Sequence, residues 1–144
     1  MMMLNDKINV KVASSSPSSS VEKALLDKSI YTKDMYSPTE KTRTFIVDSF
    51  PLLGKVVAYR FIEWVIGNPE GVCALPTGKT PEYFIKWTQR IVNEWDTPAI
   101  KDDRRLYGMD GSIPPPRFDN LWFVMLDEFY PINPEHHNSF KYYV

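Results

Sequence analysis

Residues 121–130 read LWFVMLDEFY, an apolar run that ends in two adjacent carboxylates. Six consecutive apolar residues are too few for a typical helix, and their aromatic and branched side chains favour a strand buried on both faces. In an open parallel sheet, the carboxyl ends of the strands form the crevice where ligands bind. The sequence therefore predicts that Asp127 and Glu128 lie at this edge of a sheet, where such a fold carries out its chemistry.

The composition predicts one domain with an apolar core. The chain has 144 residues, of which 43% are hydrophobic and 14% aromatic, and this is enough to bury a core. Lys and Arg number 17 against 18 Asp and Glu, and the resulting net charge is -1. Because proteins that hold a nucleic-acid backbone carry a basic excess, we expect no nucleic-acid partner.

The sequence lacks the features that mark secreted and membrane proteins. It has no basic segment followed by a long apolar segment near its N-terminus, and no apolar run of about 18 residues. Cys73 is the only cysteine, so no internal disulfide can form. We expect a cytoplasmic protein with no membrane partner.

Residues 1–40 are expected to be a Ser-rich flexible extension that precedes the domain. The run SSSPSSS at 14–20 is a low-complexity segment with nothing to bury. A short helix is expected at 21–30 and an irregular segment at 31–40. The domain itself is therefore expected to occupy residues 41–144.

Strand and helix signals alternate within this domain. A short β-branched and aromatic run at 42–47 and a short apolar run at 71–75, together with the run described above, predict three strands. The first two lead into helices, for which Asp48 or Ser49 and then Thr80 are the predicted N-caps. This order predicts an α/β fold with a three-layer, doubly wound and mostly parallel sheet of the Rossmann-like type, which stops after its third strand.

The two helices are expected to bury apolar stripes. Apolar side chains recur at three- and four-residue spacings in both helices. They are Leu52, Leu53, Val56, Val57, Phe61, Trp64 and Val65 in the first helix, and Phe84, Trp87, Ile91 and Trp95 in the second. The segment 96–120, which is charged near Lys101 and proline-rich near Pro114, is expected to be a long connection.

The turn PTGKT at residues 76–80 is the first candidate site. A glycine-containing turn from a buried strand into a helix exposes backbone N–H groups at the positive end of the helix dipole, where phosphate binds. A nucleotide-binding P-loop is excluded, because that motif needs a glycine where Cys73 stands. The alternative interpretation is a turn that only caps the helix.

Asp127 and Glu128 are the second candidate site. Adjacent side chains at a strand end point in different directions, so one carboxylate can face the crevice while neighbouring groups hold the other. A crevice-facing Asp suits a general base that removes a proton next to a carbonyl, provided that an anchored phosphate fixes the substrate within reach. The alternative interpretation is an acidic loop start.

His136 and His137 follow in the same segment. Two adjacent histidines rarely bind one ion, and neither a thiolate nor a spaced His pair completes a coordination shell. We therefore expect no metal site. The two histidines are expected to belong to a loop that closes over the crevice, or to cap a helix that starts near Ser139.

Two blocks of sequence, in this order, resemble the glucosamine-6-phosphate deaminase/isomerase family. The blocks are LPTGKTP at 75–81, and LDEFYP at 126–131 with Glu135, His136 and NSF at 138–140. The resemblance covers residues 42–144. It implies a doubly wound α/β fold related to phosphogluconolactonases and ribose-5-phosphate isomerases, and the conversion of glucosamine 6-phosphate and water to fructose 6-phosphate and ammonia.

The resemblance also implies roles for individual residues. Asp127 matches the base that moves a proton between C2 and C1, and Glu128 matches the acid beside it. The phosphate-holding loop matches Thr77, Gly78, Lys79 and Thr80. Lys79 stands where the family commonly has Gly or Ser, so its side chain either adds a phosphate contact or crowds the pocket. No metal or organic cofactor is implied, and the implied ligand is a phosphorylated amino sugar.

The family's ring-opening histidine and most of its basic phosphate ligands lie beyond the part that the chain resembles. We therefore expect these 144 residues to be the N-terminal part of an enzyme and to be inactive alone. A homo-oligomer or the C-terminal half would cover the open sheet edge. Two other functions stay open: a sugar-phosphate-binding regulator without catalysis, and a lactonase that acts on a phosphorylated sugar acid.

Overall fold

The computed structural model describes residues 19–28, 32–34, 45–76 and 78–143. Thr77, one of the predicted phosphate-binding residues, lies outside this part of the chain, as does most of the predicted extension. The described elements are, in chain order, α1 (Ser20–Lys28), β1 (Thr32–Asp34), β2 (Phe45–Val47), α2 (Phe50–Gly67), β3 (Val72–Leu75), α3 (Glu82–Asn93), α4 (Pro98–Leu106), β4 (Trp122–Met125) and α5 (Phe140–Tyr143).

The described strands form two separate two-stranded sheets. β3 pairs with β4 in parallel, with Val72 opposite Trp122 and Leu75 opposite Met125. β2 pairs antiparallel with β1, which corrects two expectations: β2 was predicted to join the parallel sheet, and β1 lies in a segment predicted to be irregular. A partner close in sequence costs less chain entropy than a distant one, and the apolar pattern of a strand does not reveal its partner. The larger doubly wound sheet stays a prediction.

The described core lies between the helices, and α2 and α3 pack closest to each other. A Cβ atom on Gly54 of α2 would lie 2.5 Å from Cβ of Tyr83 and 2.9 Å from the backbone nitrogen of Phe84, so only glycine permits this approach. The buried core cluster consists of Val21, Leu25, Val56, Ala58, Tyr59, Ile62, Ile91, Trp95, Ile100, Tyr107 and Met109. Among the described helices, none is both long and apolar enough to cross a membrane.

The structure confirms which side of α3 was predicted to be buried. The apolar stripe predicted to be buried in α2 is only partly right. Ser49 caps α2 as predicted, because its side chain accepts the N–H of Leu52. Val56 is buried as expected, whereas Leu53 and Val57 of the predicted stripe are exposed. The buried face of α2 is turned towards α1 and α3, which contribute to the same core cluster.

Helix α4 occupies part of the segment that was expected to be a connection. Thr97 caps it, since its hydroxyl accepts the N–H of Ile100 at 3.4 Å, and Pro98 is the first helical residue. Ile100 and Arg104, one turn apart, are both buried. The charged residues of this segment therefore belong to a helix with one buried face.

Helix α1 is held against α2 by Glu63. The carboxylate of Glu63 accepts the backbone N–H and the hydroxyl of Ser20, both at 2.6 Å, and also the hydroxyl of Ser19. Arg60 pairs with Glu22 of α1 at 2.9 Å. Part of the segment predicted to be a flexible extension is therefore packed on the domain.

β4 lies where the sequence predicts a strand, but the prediction that it is buried on both faces is wrong. Trp122 is 70% exposed, Phe123 51% and Val124 52%. Within the described residues, no member of the core cluster comes from β3 or β4, because the helices bury their apolar faces against each other. Parallel strands are normally covered on both faces, so this pair presents an unusual apolar surface.

Candidate functional site

An open cleft of about 810 Å³ is formed by the segments that follow the carboxyl ends of β3 and β4. We refer to residues 126–139 as the β4–α5 loop. Gly78 and Lys79 line the cleft from the turn after β3, and residues 129, 131–133 and 136–140 line it from the β4–α5 loop and the start of α5. The predicted phosphate-binding turn and the segment after the acidic pair thus meet in one cleft.

The wall on the β3 side is a tight turn. Gly78 has a φ of 90°, a conformation that favours glycine. Lys79 is exposed, and its carbonyl accepts the N–H of Glu82 at 3.2 Å. Thr80 is exposed and does not line the cleft. The prediction that Thr80 caps α3 is wrong, because the turn runs one residue further and Pro81 occupies the capping position without a side-chain bond.

Glu128 is held by four hydrogen bonds. Its Oε1 accepts the N–H of Phe129 at 2.9 Å and of Phe140 at 3.0 Å, and its Oε2 accepts the Ser139 hydroxyl at 2.7 Å and the N–H of Lys141 at 3.1 Å. These bonds, first of all the one from Ser139, lower the pKa of Glu128 to about 2. The carboxylate is therefore ionised at neutral pH, and it ties together the two ends of the β4–α5 loop.

Asp127 lies just beyond the carboxyl end of β4, with an exposed side chain. It does not line the cleft, and among the described residues no hydrogen bond or ion pair holds its carboxylate. Glu128, the next residue, is directed to the start of α5 instead. The structure thus gives the two predicted catalytic carboxylates different surroundings, with Asp127 open to solvent and Glu128 fully engaged.

The two histidines of the β4–α5 loop line the cleft side by side. Their ring centroids lie 4.3 Å apart. Nδ1 of His136 accepts the backbone N–H of Asn138 at 3.2 Å. This bond uses the Nδ1 lone pair, so the neutral ring of His136 carries its proton on Nε2. The prediction that these histidines belong to a loop over the crevice is consistent with their positions in the lining.

The lining of the cleft favours an anion. Its charged or titratable side chains are Lys79, His136 and His137, and no carboxylate of the described residues lines it. The positive charge of Lys79 attracts ligands of the opposite sign. The described part of the chain contains no group of three or more His, Cys, Asp or Glu residues placed to hold a metal ion.

Ser139 is the functional residue that sequence reasoning missed. It was expected to mark the start of a helix and belonged to the NSF block of the resemblance, but it was given no role of its own; the structure shows it fully buried against Glu128. A serine directly before a helix is a usual N-cap signal, and Ser139 indeed accepts the N–H of Tyr142 at 3.4 Å. Its bond to Glu128 depends on how the intervening loop closes, which residue spacing does not reveal.

Comparisons of the chain with protein-family models, with curated proteins and with solved structures find no match. The resemblance to the glucosamine-6-phosphate deaminase/isomerase family therefore stays a prediction. A function for this chain has to be inferred from its own residues and from the geometry of the cleft.

Proposed function

We propose that this chain is the phosphate-binding α/β part of an amino-sugar phosphate isomerase/deaminase. The proposed reaction converts glucosamine 6-phosphate and water to fructose 6-phosphate and ammonia. The observation that supports it most directly is the meeting of the Gly78 and Lys79 turn with the β4–α5 loop in one cleft. Both segments follow paired parallel strands, whose carboxyl ends are the usual ligand site of α/β sheets. A doubly wound sheet around β3 and β4 is part of this proposal.

The phosphate group of the substrate is held at the turn after β3. Lys79 supplies a positive charge there, and the left-handed conformation of Gly78 lets the backbone turn tightly beside it. By sequence position, Thr77 and Thr80 belong to the same loop. The positive charge that Lys79 brings to the lining supports this placement. The ionised carboxylate of Glu128 lies behind the opposite part of the lining, where Phe129, Ser139 and Phe140 donate hydrogen bonds to it.

Asp127 is the proposed base. It takes the proton from C2 of the open-chain sugar, and the C2–H electron pair forms a C1–C2 double bond while the aldehyde oxygen gains a proton from water. Return of the proton to C1 yields an imine at C2, which water converts to the ketone and ammonia. An exposed carboxylate at the end of a strand, without a described partner, is suited to this proton transfer.

Glu128 supports this chemistry by holding the loop. The resemblance implies that it acts as an acid, but an ionised carboxylate that accepts four hydrogen bonds has no proton to donate. The proposal therefore gives Glu128 the task of keeping the β4–α5 loop beside the cleft. Glu128 therefore acts on the substrate indirectly, by positioning the loop residues that line the cleft.

A regulator that binds a sugar phosphate without catalysis is the second candidate function. One observation favours it: Asp127 does not line the cleft. A regulator needs only the anion-binding part of the lining around Lys79, which the described residues provide. The two functions differ in whether the bound sugar exchanges its C2 proton.

The test is to incubate the chain with glucosamine 6-phosphate in heavy water and to follow the C2 proton by NMR, together with ammonia and fructose 6-phosphate. Exchange needs only a bound open-chain sugar and a base, so it is a more sensitive readout than deamination. We expect the wild-type chain to exchange the C2 proton without releasing ammonia, since the chain is expected to be inactive alone as a deaminase. Asp127→Asn should lose at least about a hundredfold of this exchange with binding retained.

The matched control is Asp119→Asn, which removes the same charge at another exposed position. We expect it to leave exchange unchanged. Exchange that survives in Asp127→Asn would overturn the role of Asp127. Binding of glucosamine 6-phosphate without any exchange by the wild type would favour the regulator, and the absence of binding would overturn both functions.

A further inference from the structure

The first donor available to a ligand is Lys79, on the β3 side of the cleft. No ion pair joins its ammonium to a carboxylate in the part of the chain that the structure describes. Glu82 is the nearest acidic residue along the chain, but its carboxylate pairs with Lys86. Lys79 is exposed and lines the cleft. Its charge is therefore available to an anion that enters from solvent.

The second donor is Nε2 of His136, which lines the same cleft from the β4–α5 loop. The bond from the Asn138 N–H to Nδ1 fixes the tautomer, so the neutral ring presents an N–H at Nε2. The neighbouring ring of His137 restricts its rotation, since the centroids are only 4.3 Å apart. Among the described residues, none accepts a hydrogen bond from Nε2. The ring is thus held in one orientation with a donor that nothing described uses.

We propose that Lys79 and His136 bind one phosphate group between them, so that the anion bridges the two walls of the cleft. This inference rests on the proposed function and names the residues that select its phosphorylated ligand. Lys79 contributes a point charge and His136 a directed hydrogen bond, and a phosphate monoester has enough oxygens to engage both at once. His137 acts as a positioning residue that supports the ring of His136.

A phosphate fits this pair better than a neutral sugar hydroxyl does. The lining contains no described carboxylate to pair with Lys79, so an uncharged ligand would leave the ammonium uncompensated when it displaces water. The two donors also come from segments that follow different strands. Binding at both therefore requires the β4–α5 loop to stay beside the turn, which is what the four bonds of Glu128 provide.

The test uses inorganic phosphate as the probe and histidine labelled with nitrogen-15. NMR of the intact chain first reports the tautomer of His136, which we expect to carry its proton on Nε2. Added phosphate should shift the Nε2 resonance of His136 and leave its Nδ1 bonded to Asn138. A wild-type chain that does not bind phosphate, or a His136 resonance that does not move at saturation, would overturn the proposal.

Substitutions then measure the contribution of each donor. Lys79→Ala and His136→Ala should each weaken phosphate binding at least about fivefold. His136→Gln, which keeps an N–H donor in a similar place, should recover part of the loss. Lys101→Ala removes the same charge from the surface of α4 and should leave binding unchanged. If Lys101→Ala weakens binding as much as Lys79→Ala, the effect is one of net charge and the proposal is wrong.

The double variant shows whether both residues engage the same phosphate. If they do, the loss in Lys79→Ala with His136→Ala should be smaller than the product of the two single losses, because either change disrupts the shared geometry. If the affinity loss of the double variant equals the product of the two single losses, the two residues contact anions independently. That result would contradict a bridging phosphate. Circular dichroism of each variant should match the wild type, which shows that the helices remain folded.

These outcomes are separable from those of the proposed function. Phosphate binding that depends on both residues, without C2 exchange of glucosamine 6-phosphate, would support the bridging phosphate and overturn the enzyme. C2 exchange that is insensitive to Lys79→Ala and His136→Ala, with unchanged KM, would support the enzyme and overturn the bridging phosphate.

Discussion

The hydroxyl of Ser139 donates a hydrogen bond of 2.7 Å to Oε2 of Glu128, although the residues are 11 positions apart. The same arrangement recurs at the start of α1, where Ser19 donates to Glu63 from 44 positions away. In both places the serine accepts a backbone N–H of its own helix and the glutamate accepts the N–H of the residue after the serine. Each of these helices is therefore anchored by a carboxylate from elsewhere in the chain.

The anchor at Glu128 should weaken at low pH. Its pKa in the folded chain is about 2, below the ordinary value of 4.5. Because the folded value is the lower one, the ionised carboxylate stabilises the closed loop above pH 4.5, and this contribution is lost as the pH falls from 4.5 towards 2. We expect the amides of Phe140 and Lys141 to lose protection in that range, as measured by hydrogen exchange. Glu128→Gln should abolish this pH dependence, and its persistence would contradict the assignment.

The close approach of α2 and α3 predicts that Gly54→Ala is destabilising. The new Cβ would lie within 2.5 to 2.9 Å of atoms of Tyr83 and Phe84, two of which are backbone atoms that cannot rotate away. Separating the helices should cost about 1–3 kcal/mol of unfolding free energy, measured by denaturant titration. Gly67→Ala, in the same helix with nothing within 4 Å of the new Cβ, is the matched control. Equal effects of the two changes would argue against a packing cause.

Arg104→Met should destabilise the segment after α4. The Arg104 guanidinium is fully buried and donates to the carbonyls of Trp95, Gly111 and Ile113 at 3.2 to 3.4 Å. Methionine fills a similar volume but leaves these carbonyls without that donor, for a loss of about 2–4 kcal/mol in chemical unfolding. Arg105→Met, at a largely exposed position, should cost less than about 0.5 kcal/mol. A small effect at Arg104 would mean that water replaces the guanidinium.

The exposed face of β4 predicts self-association. Phe123 and its neighbours form an apolar strand without a charged or proline residue, and a strand of this kind invites pairing with other chains. We expect sedimentation velocity to show association that increases with concentration, and Phe123→Lys to reduce it while shifting stability by less than about 0.5 kcal/mol. Tyr130→Lys, which alters a residue that is 98% exposed outside the strand, should leave association unchanged. A monomeric wild type would contradict the prediction.

Local signals predicted the parts of the fold that local physics determines. Ser49 marks the start of α2, because a capping hydroxyl before an apolar helix is a signal carried by neighbouring residues. The apolar spacing correctly identified Ile91 as buried in α3 and Trp95 as buried just beyond its end. The meeting of the turn at Gly78 with the segment after Asp127 followed from a general rule for parallel strands.

The features that sequence reasoning missed depend on contacts between distant segments. Helix α4 was not predicted, because the residue one turn after Ile100 on its buried face is Arg104. The spacing of apolar residues therefore gave no helical signal. Thr97 followed by Pro98 was the local clue that could have revealed it. An open sheet edge was expected, but the exposure of Phe123 and the partner of Glu128 were not predicted, since both depend on which elements pack together.

The β3 and β4 pair lies apart from the helical core, and this separation affects how the described chain unfolds. The cleft is attached to the strand pair, whereas the core cluster belongs to the helices and the segments beside them. Two regions that share few apolar contacts can open with different free energies. A ligand in the cleft would then raise the melting midpoint of the strand pair more than that of the helices. The part of the fluorescence that is lost in Trp122→Phe would report the strand pair, since the chain has four tryptophans, and circular dichroism would report the helices. We expect two transitions, one sensitive to ligand and the other not.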